Sequence, residues 1–111
     1  MDLRLFPRFL IKCPIAFIVN SHRAQGSLVN LSMSGCGAES SDQVQARQHL
    51  ALLLHLPDNE PPMEVDLATV RWSQGQQFGL EFMYVRPEER DRLRQFIRTM
   101  ETGTAHQGPP V

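Results

Sequence analysis

From Phe9 to Asn20 the chain alternates: Phe9, Ile11, Cys13, Ile15, Phe17 and Val19 share one parity, and Lys12, Pro14, Ala16 and Asn20 share the other. A period of two over this length predicts a long strand with one buried face. Pro14 has no N–H to give a ladder, so the strand is expected to run along an edge or to contain a bulge there. Asn20-Ser21-His22 reads as a turn, and Ala24 to Met33 as a returning strand with Val29, Leu31 and Met33 inward. The segment Ser34-Gly35-Cys36-Gly37 is expected to break that strand.

Leu50, Leu52, Leu54 and Leu56 form a further one-sided row, stopped by the turn signal Pro57-Asp58-Asn59. Met63, Val65 and Leu67 alternate with Glu64 and Asp66, after which the parity slips to Ala68, Val70 and Trp72. A β-bulge produces such a slip. Ser73 to Gln76 reads as a hairpin turn, and Phe78, Leu80, Phe82 and Tyr84 as the next inward row. The period then changes. Arg86-Pro87-Glu88-Glu89 has the proline and acidic residues of a helix start. Leu93, Phe96, Ile97 and Met100 follow at i, i+3, i+4 and i+7, one apolar helical face. Thr102 to Val111 has no periodicity and is expected to be a disordered tail. About six short strands and one terminal helix make a mainly β fold, a small barrel or sandwich with the helix packed against it. One domain is expected over residues 1–101, with the tail over 102–111.

The 111 residues suit one domain and one modest core. The formal net charge of −1 provides no general attraction for nucleic acid or anionic membrane. Ten of the eleven basic residues are Arg, and Lys12 is the single Lys. Arg supplies a planar fork for bidentate contact and stacking where Lys supplies a point charge, so the bias favours local recognition of a planar or phosphorylated ligand. Cys13 and Cys36 are too few and too far apart for a zinc site or a redox pair. The start MDLRLFPRF has no signal-peptide pattern, and no apolar run reaches the ~20 residues of a membrane span. A cytoplasmic protein with reduced thiols is expected.

Arg-x-x-x-Arg occurs four times, as Arg4/Arg8, Arg86/Arg90, Arg90/Arg94 and Arg94/Arg98. The last three fall on or at the start of the helix, where that spacing makes a solvated face interleaved with Glu88, Glu89 and Asp91. Arg4/Arg8 differs: the residue before Pro7 avoids the α region, so this pair lies on an extended lead into the first strand. The second candidate is Asn30-Leu31-Ser32-Met33-Ser34-Gly35, an Asn-x-Ser-x-x-Gly arrangement at the end of the second strand. Alternation places Asn30 and Ser32 on the face opposite Val29, Leu31 and Met33. An amide and a hydroxyl suit a base edge, and Gly35 permits close backbone approach. A plain turn is the alternative reading of that segment.

Arg-x-x-x-Arg followed about one hairpin later by Asn-x-Ser-x-x-Gly resembles the signature of the PilZ family. Val70-Arg71-Trp72, a turn, Phe78-Gly79-Leu80-Glu81-Phe82 and an amphipathic helix resemble that family's C-terminal half, so the likeness spans Arg4 to Met100. The resemblance implies a six-stranded antiparallel Greek-key β-barrel with one C-terminal α-helix, whose outer face binds the bacterial second messenger cyclic di-GMP. It implies that Arg4 and Arg8 contact guanine and phosphate, while Asn30, Ser32 and Gly35 hold another guanine and shape the site. Arg chemistry agrees, since the guanidinium pairs with guanine O6 and N7, stacks on bases and forks onto phosphate. Only three residues precede Arg4 here, where many relatives carry more, which bears on affinity.

The remaining reactive residues read as structural. His49 and His55 lack zinc-ligand spacing and are expected to be exposed; Cys13 is expected in the core and Cys36 nearer the surface. Ser32 and Ser34 have no base nearby in sequence to activate them. Glu81 is expected to be a surface carboxylate that borders the site at most, and Trp72 to be core. The expected function is therefore a non-enzymatic receptor that binds cyclic di-GMP, changes conformation and signals to an unidentified effector protein. It needs no cofactor besides that ligand and is expected to be a monomer or weak dimer, with no membrane insertion and no nucleic acid polymer as partner. The alternatives are a PilZ-like interaction domain that has lost nucleotide binding, or a small barrel for single-stranded nucleic acid. Net charge and inward aromatics speak against the latter.

Overall fold

The structure, a computed structural model, describes residues 7–106, with side chains over 7–101. Its elements are β1 (Phe9–Val19), β2 (His22–Leu31), β3 (Gly35–Glu39), β4 (His49–Leu54), β5 (Met63–Gln74), β6 (Gln77–Tyr84) and α1 (Pro87–His106). The strands close into a barrel in the order β1-β2-β3-β6-β5-β4, every neighbouring pair antiparallel. β4, β5 and β6 form a meander, and the 40–48 connection lets β3 lie beside β6, which is Greek-key topology. Among the described residues, closure leaves no edge strand to template aggregation.

Local chemistry sets the hairpins. Asn20 and Ser21 both have positive φ (52° and 65°) between the paired Val19 and His22. That is the pattern of a type I′ turn, whose twist matches the strands it joins. Gly75, at φ 63°, opens the two-residue turn between β5 and β6. Inside, Phe17 and Phe78 meet edge to face with centroids 5.7 Å apart, among the fully buried Leu28, Leu31, Leu54, Met63 and Leu93. Leu93, Phe96 and Ile97 of α1 are buried and Met100 is partly buried, so the apolar helical face covers the barrel as its periodicity predicts. Glu89 accepts the backbone N–H of Glu64, Arg92 donates to Asn59 and Pro61, and Arg86 pairs with Glu64 and Asp66. These contacts tie the helix start to β5 and the loop before it.

Several expectations are corrected. Of the two alternatives for β1, an edge or a bulge, the structure has a bulge, between Leu10 and Cys13 just before Pro14, and the strand is hydrogen-bonded on both sides. The Pro14 carbonyl accepts from His55 just past the last β1–β4 pair, so the missing N–H falls where that ladder ends. The Gly-rich segment after Ser34 is itself a strand, β3. A register shift between Leu28 and Asn30 replaces the Val29/Leu31/Met33 row by Leu28 and Leu31, leaving Val29 and Met33 partly buried. The inward row of β6 ends at Phe82, and Tyr84 is 53% exposed. The slip at Leu67/Ala68 is a register shift as expected. The helix runs to His106, into the stretch where a tail was expected from Thr102; residues 107–111, like Arg4, lie outside the described residues.

Candidate functional site

The register of four strands places Asn30 (β2), Gly37 (β3), Gly79 (β6) and Trp72 (β5) in one row across the outer wall. The two central residues are glycines, so the row is a shallow trough with a backbone floor. Its ends are covered by side chains: a Cβ at Gly37 would stand 2.8 Å from Asn30 Nδ2, and one at Gly79 would overlap the Trp72 indole. Trp72 therefore lies on the outside, 47% exposed, and the expectation of a core tryptophan is overturned. The cause is the bulge between Val70 and Trp72, which inserts Arg71 and leaves two consecutive residues facing outward.

Asn30 joins the two sequence motifs. Its Oδ1 accepts the backbone N–H of Gly37 at 2.8 Å and Nη1 of Arg8 at 2.7 Å. Arg8 is exposed, and its fork lies at the mouth of a mainly polar cleft of about 240 Å³ lined by Ser34, Arg71, Trp72, Gly79, Leu80 and Glu81. Arg71 pairs with Glu81 on the neighbouring strand. Both are half-exposed, so the pair adds little stability, but it holds the guanidinium over β6 in the cleft that Trp72 also lines.

Ser32 is not presented to solvent as expected; it is 1% exposed. Its hydroxyl receives the Ser34 N–H at 3.2 Å and lies 3.3 Å from the Gly35 carbonyl, while its own N–H donates to that carbonyl at 2.9 Å. The Ser34 carbonyl accepts from Phe82 of β6. Ser32 thus builds the turn from β2 into β3. Gly35 is required there because a Cβ would overlap the Leu80 carbonyl. Of the five sequence-predicted site residues, Arg8 and Asn30 face the surface together, Ser32 and Gly35 frame the turn beside them, and Arg4 lies outside the described residues.

Cys36, expected nearer the surface, is completely buried beneath this turn, between the two glycines. Burial pushes its thiol up to about 12, opposed by nearby Arg8 and reinforced by Cys13, whose own thiol burial pushes up to about 11. Sequence reasoning passed over Arg71 and Trp72 as site residues and set Glu81 aside. The signal for Trp72 was a large residue across from a glycine in an adjacent strand, readable only once the β5–β6 register is fixed.

Two guanidinium groups, an indole face and an amide around a glycine floor suit a planar, anionic ligand. Among the described residues no cluster of three or more His, Cys, Asp or Glu is arranged to hold a metal ion, and no helix is long and apolar enough to cross a membrane.

The sequence profile of the PilZ domain matches residues 2–99, and the chain belongs to that family. Bacillus subtilis Inhibitor of motility (MotI/DgrA) superposes with a TM-score of 0.74 at 19% identity, over 92% of this chain and 53% of that one. This chain thus spans about half the length of that structure. The PilZ domain of CeSA from a cellulose-synthesizing bacterium gives a TM-score of 0.66 at 11% identity, over 86% of this chain and 98% of that domain. At such identities the likeness shows the fold alone. No curated protein matches the sequence.

Proposed function

We propose that this protein is a receptor for cyclic di-GMP that transmits the binding event to an effector protein in the bacterial cytoplasm and catalyses no reaction. The observation that carries this reading is the Arg8–Asn30 hydrogen bond. It brings the Arg-x-x-x-Arg and Asn-x-Ser-x-x-Gly motifs, 22 residues apart at this point, to one edge of a polar cleft that also holds Arg71 and Trp72. Arg4 and Arg8 take guanine and phosphate, Asn30 takes a guanine edge, and Ser32 and Gly35 act by holding the turn. The cleft is smaller than the roughly 300–1,000 Å³ of ordinary small-molecule sites. Part of the ligand therefore rests on the open trough beside the cleft. The protein and the bound nucleotide together then present the surface that an effector reads.

The exposed Trp72 and Tyr84 remove one objection to a barrel for single-stranded nucleic acid. The net charge of −1, with only Arg8 and Arg71 among the described arginines lining the cleft, gives no basic track for a polymer and favours a compact nucleotide. Calorimetric titration with cyclic di-GMP, with GTP and cyclic di-AMP as controls, is the test. Saturable binding of cyclic di-GMP over both controls is expected; absence of binding heat and of any competing signal sinks the reading.

A further inference from the structure

The outer face of an antiparallel barrel strand ordinarily alternates to polar residues, because that face meets water. The β1–β4 wall does not. Ile18 pairs with Ala51 and Ala16 with Leu53, all four side chains on the outer parity, around a mainly apolar cleft of about 210 Å³. Ile18 is 47% exposed. In the strand order β1-β2-β3-β6-β5-β4, this wall lies diametrically opposite the β3–β6 wall that carries the nucleotide cleft.

Charge flanks the apolar centre asymmetrically. On the β2 side Arg23 pairs with Ile18. On the β5 side Glu64 pairs with Leu53, and Asp66 falls in the register shift beside Ala51. Arg86 bridges the two carboxylates, which leaves that side with a net single negative charge. The patch therefore reads positive, apolar, negative across the strands.

A two-fold axis in the plane of the patch and parallel to the strands reverses this order in a second copy. Arg23 of each copy then faces the Glu64/Asp66 side of the other, and the two apolar centres meet. Such an isologous interface is self-complementary by construction. We infer that the β1–β4 face pairs with the same face of a second copy of this chain. Four strands about 4.8 Å apart and about five residues of 3.3 Å rise give a footprint of roughly 300 Å². That is under half the ~800 Å² per partner of a standard interface, so the dimer is weak and depends on concentration.

Sedimentation equilibrium tests this, run from about 10 µM to about 1 mM protein, the range in which so small an interface titrates. Salt is kept low because the flanking charges are exposed to screening. The parent is expected to move from monomer to dimer across the range. Ile18→Glu, which puts a carboxylate into the apolar centre, and Arg23→Glu, which sets like charges opposite each other, are each expected to weaken dimerisation at least tenfold. Asp66→Lys does the same with the opposite sign. An equimolar mixture of Arg23→Glu and Asp66→Lys is expected to recover the parent's dimer, because both flanks of the mixed dimer are again of opposite charge. Asp66 also pairs with Arg86, so its variant is first checked for fold by circular dichroism; if it does not fold, Ile18→Glu and Arg23→Glu decide alone.

A parent that stays monomeric throughout overturns the inference. So does an Arg23→Glu or Ile18→Glu variant that dimerises as the parent does, or a folded mixture that fails to recover. The nucleotide cleft is on the far wall, so cyclic di-GMP and Arg8→Ala are expected to leave the dimerisation constant unchanged. Failure of the nucleotide reading therefore leaves this result intact, and the converse also holds.

Discussion

Trp72 lies flat across Gly79, its partner on the neighbouring strand, in the space where any other residue would carry a side chain. The sole tryptophan of the chain thus forms one wall of the polar cleft beside Arg8 while remaining 47% exposed.

Replacing Gly79 by Ala drives a methyl group into the indole, which must swing away from the wall. Overpacking of this kind costs about 1–3 kcal/mol, toward the lower end here because a half-exposed ring has somewhere to go. The expected result is a red-shifted Trp72 emission with a modestly lower thermal midpoint. Unchanged emission would mean that the ring does not rest on Gly79.

The helix offers a test of the core. Phe96 is 9% exposed and packs with Leu93 and Ile97 against the barrel, so Phe96→Ala is expected to cost about 3–5 kcal/mol. Chemical denaturation measures it. A loss below about 1 kcal/mol, the scale of surface changes, would show that the helix is not part of the cooperative unit.

Much of this fold was legible in the sequence because a half-buried strand writes its buried face as a period of two, and the helix writes its own as i, i+3, i+4. What escaped was wherever a bulge resets the parity. The shift at Val29 moved the inward row to Leu28 and Leu31, and the inserted Arg71 turned Trp72 outward. Gly35-Cys36-Gly37 read as a break because glycine is a poor strand former in general. Here a Cβ at Gly35 would overlap the Leu80 carbonyl of β6 and one at Gly37 would crowd the Asn30 side chain of β2, a tertiary constraint with no local signature. The motifs located the turn and the Arg8–Asn30 pair, but not which member is exposed: Ser32 is spent on the turn itself.

Cys36 gives a pH dependence. Both thiols are free, and burial raises that of Cys36 from an ordinary 9.0 to about 12. The folded state therefore keeps a proton that the unfolded state releases from pH 9 upward. This contribution is constant below about pH 9 and is lost as pH rises from there toward 12. The thermal midpoint of the parent is expected to fall more steeply than that of Cys36→Ala between those limits, since the two proteins differ in that thiol alone. Coincident slopes would show that another group is responsible. At pH 8, thiol-reactive dye is expected to label neither cysteine until the barrel unfolds.

The last prediction concerns Arg8 and separates two arginine populations. Arg8 is exposed and bonded to Asn30, so Arg8→Ala should leave folding stability within about 0.5 kcal/mol of the parent. Loss of a charge-assisted hydrogen bond costs roughly 1.5–3 kcal/mol, so cyclic di-GMP affinity should drop by about tenfold to a hundredfold or more. Arg94, paired with Asp91 on the open helix face, should tolerate Ala with no change in affinity. Arg8→Lys sharpens the test: it keeps the charge and loses the fork, so a phosphate contact survives it and a guanine contact does not. Asn30→Ala differs from all three because Oδ1 also serves the Gly37 N–H. Leaving that buried donor without a partner should cost about 1–3 kcal/mol of stability as well as affinity. Titrations paired with denaturation curves on the four variants measure both quantities. If Arg8→Ala binds as the parent does while Arg94→Ala does not, the nucleotide site is not in the cleft beside Trp72.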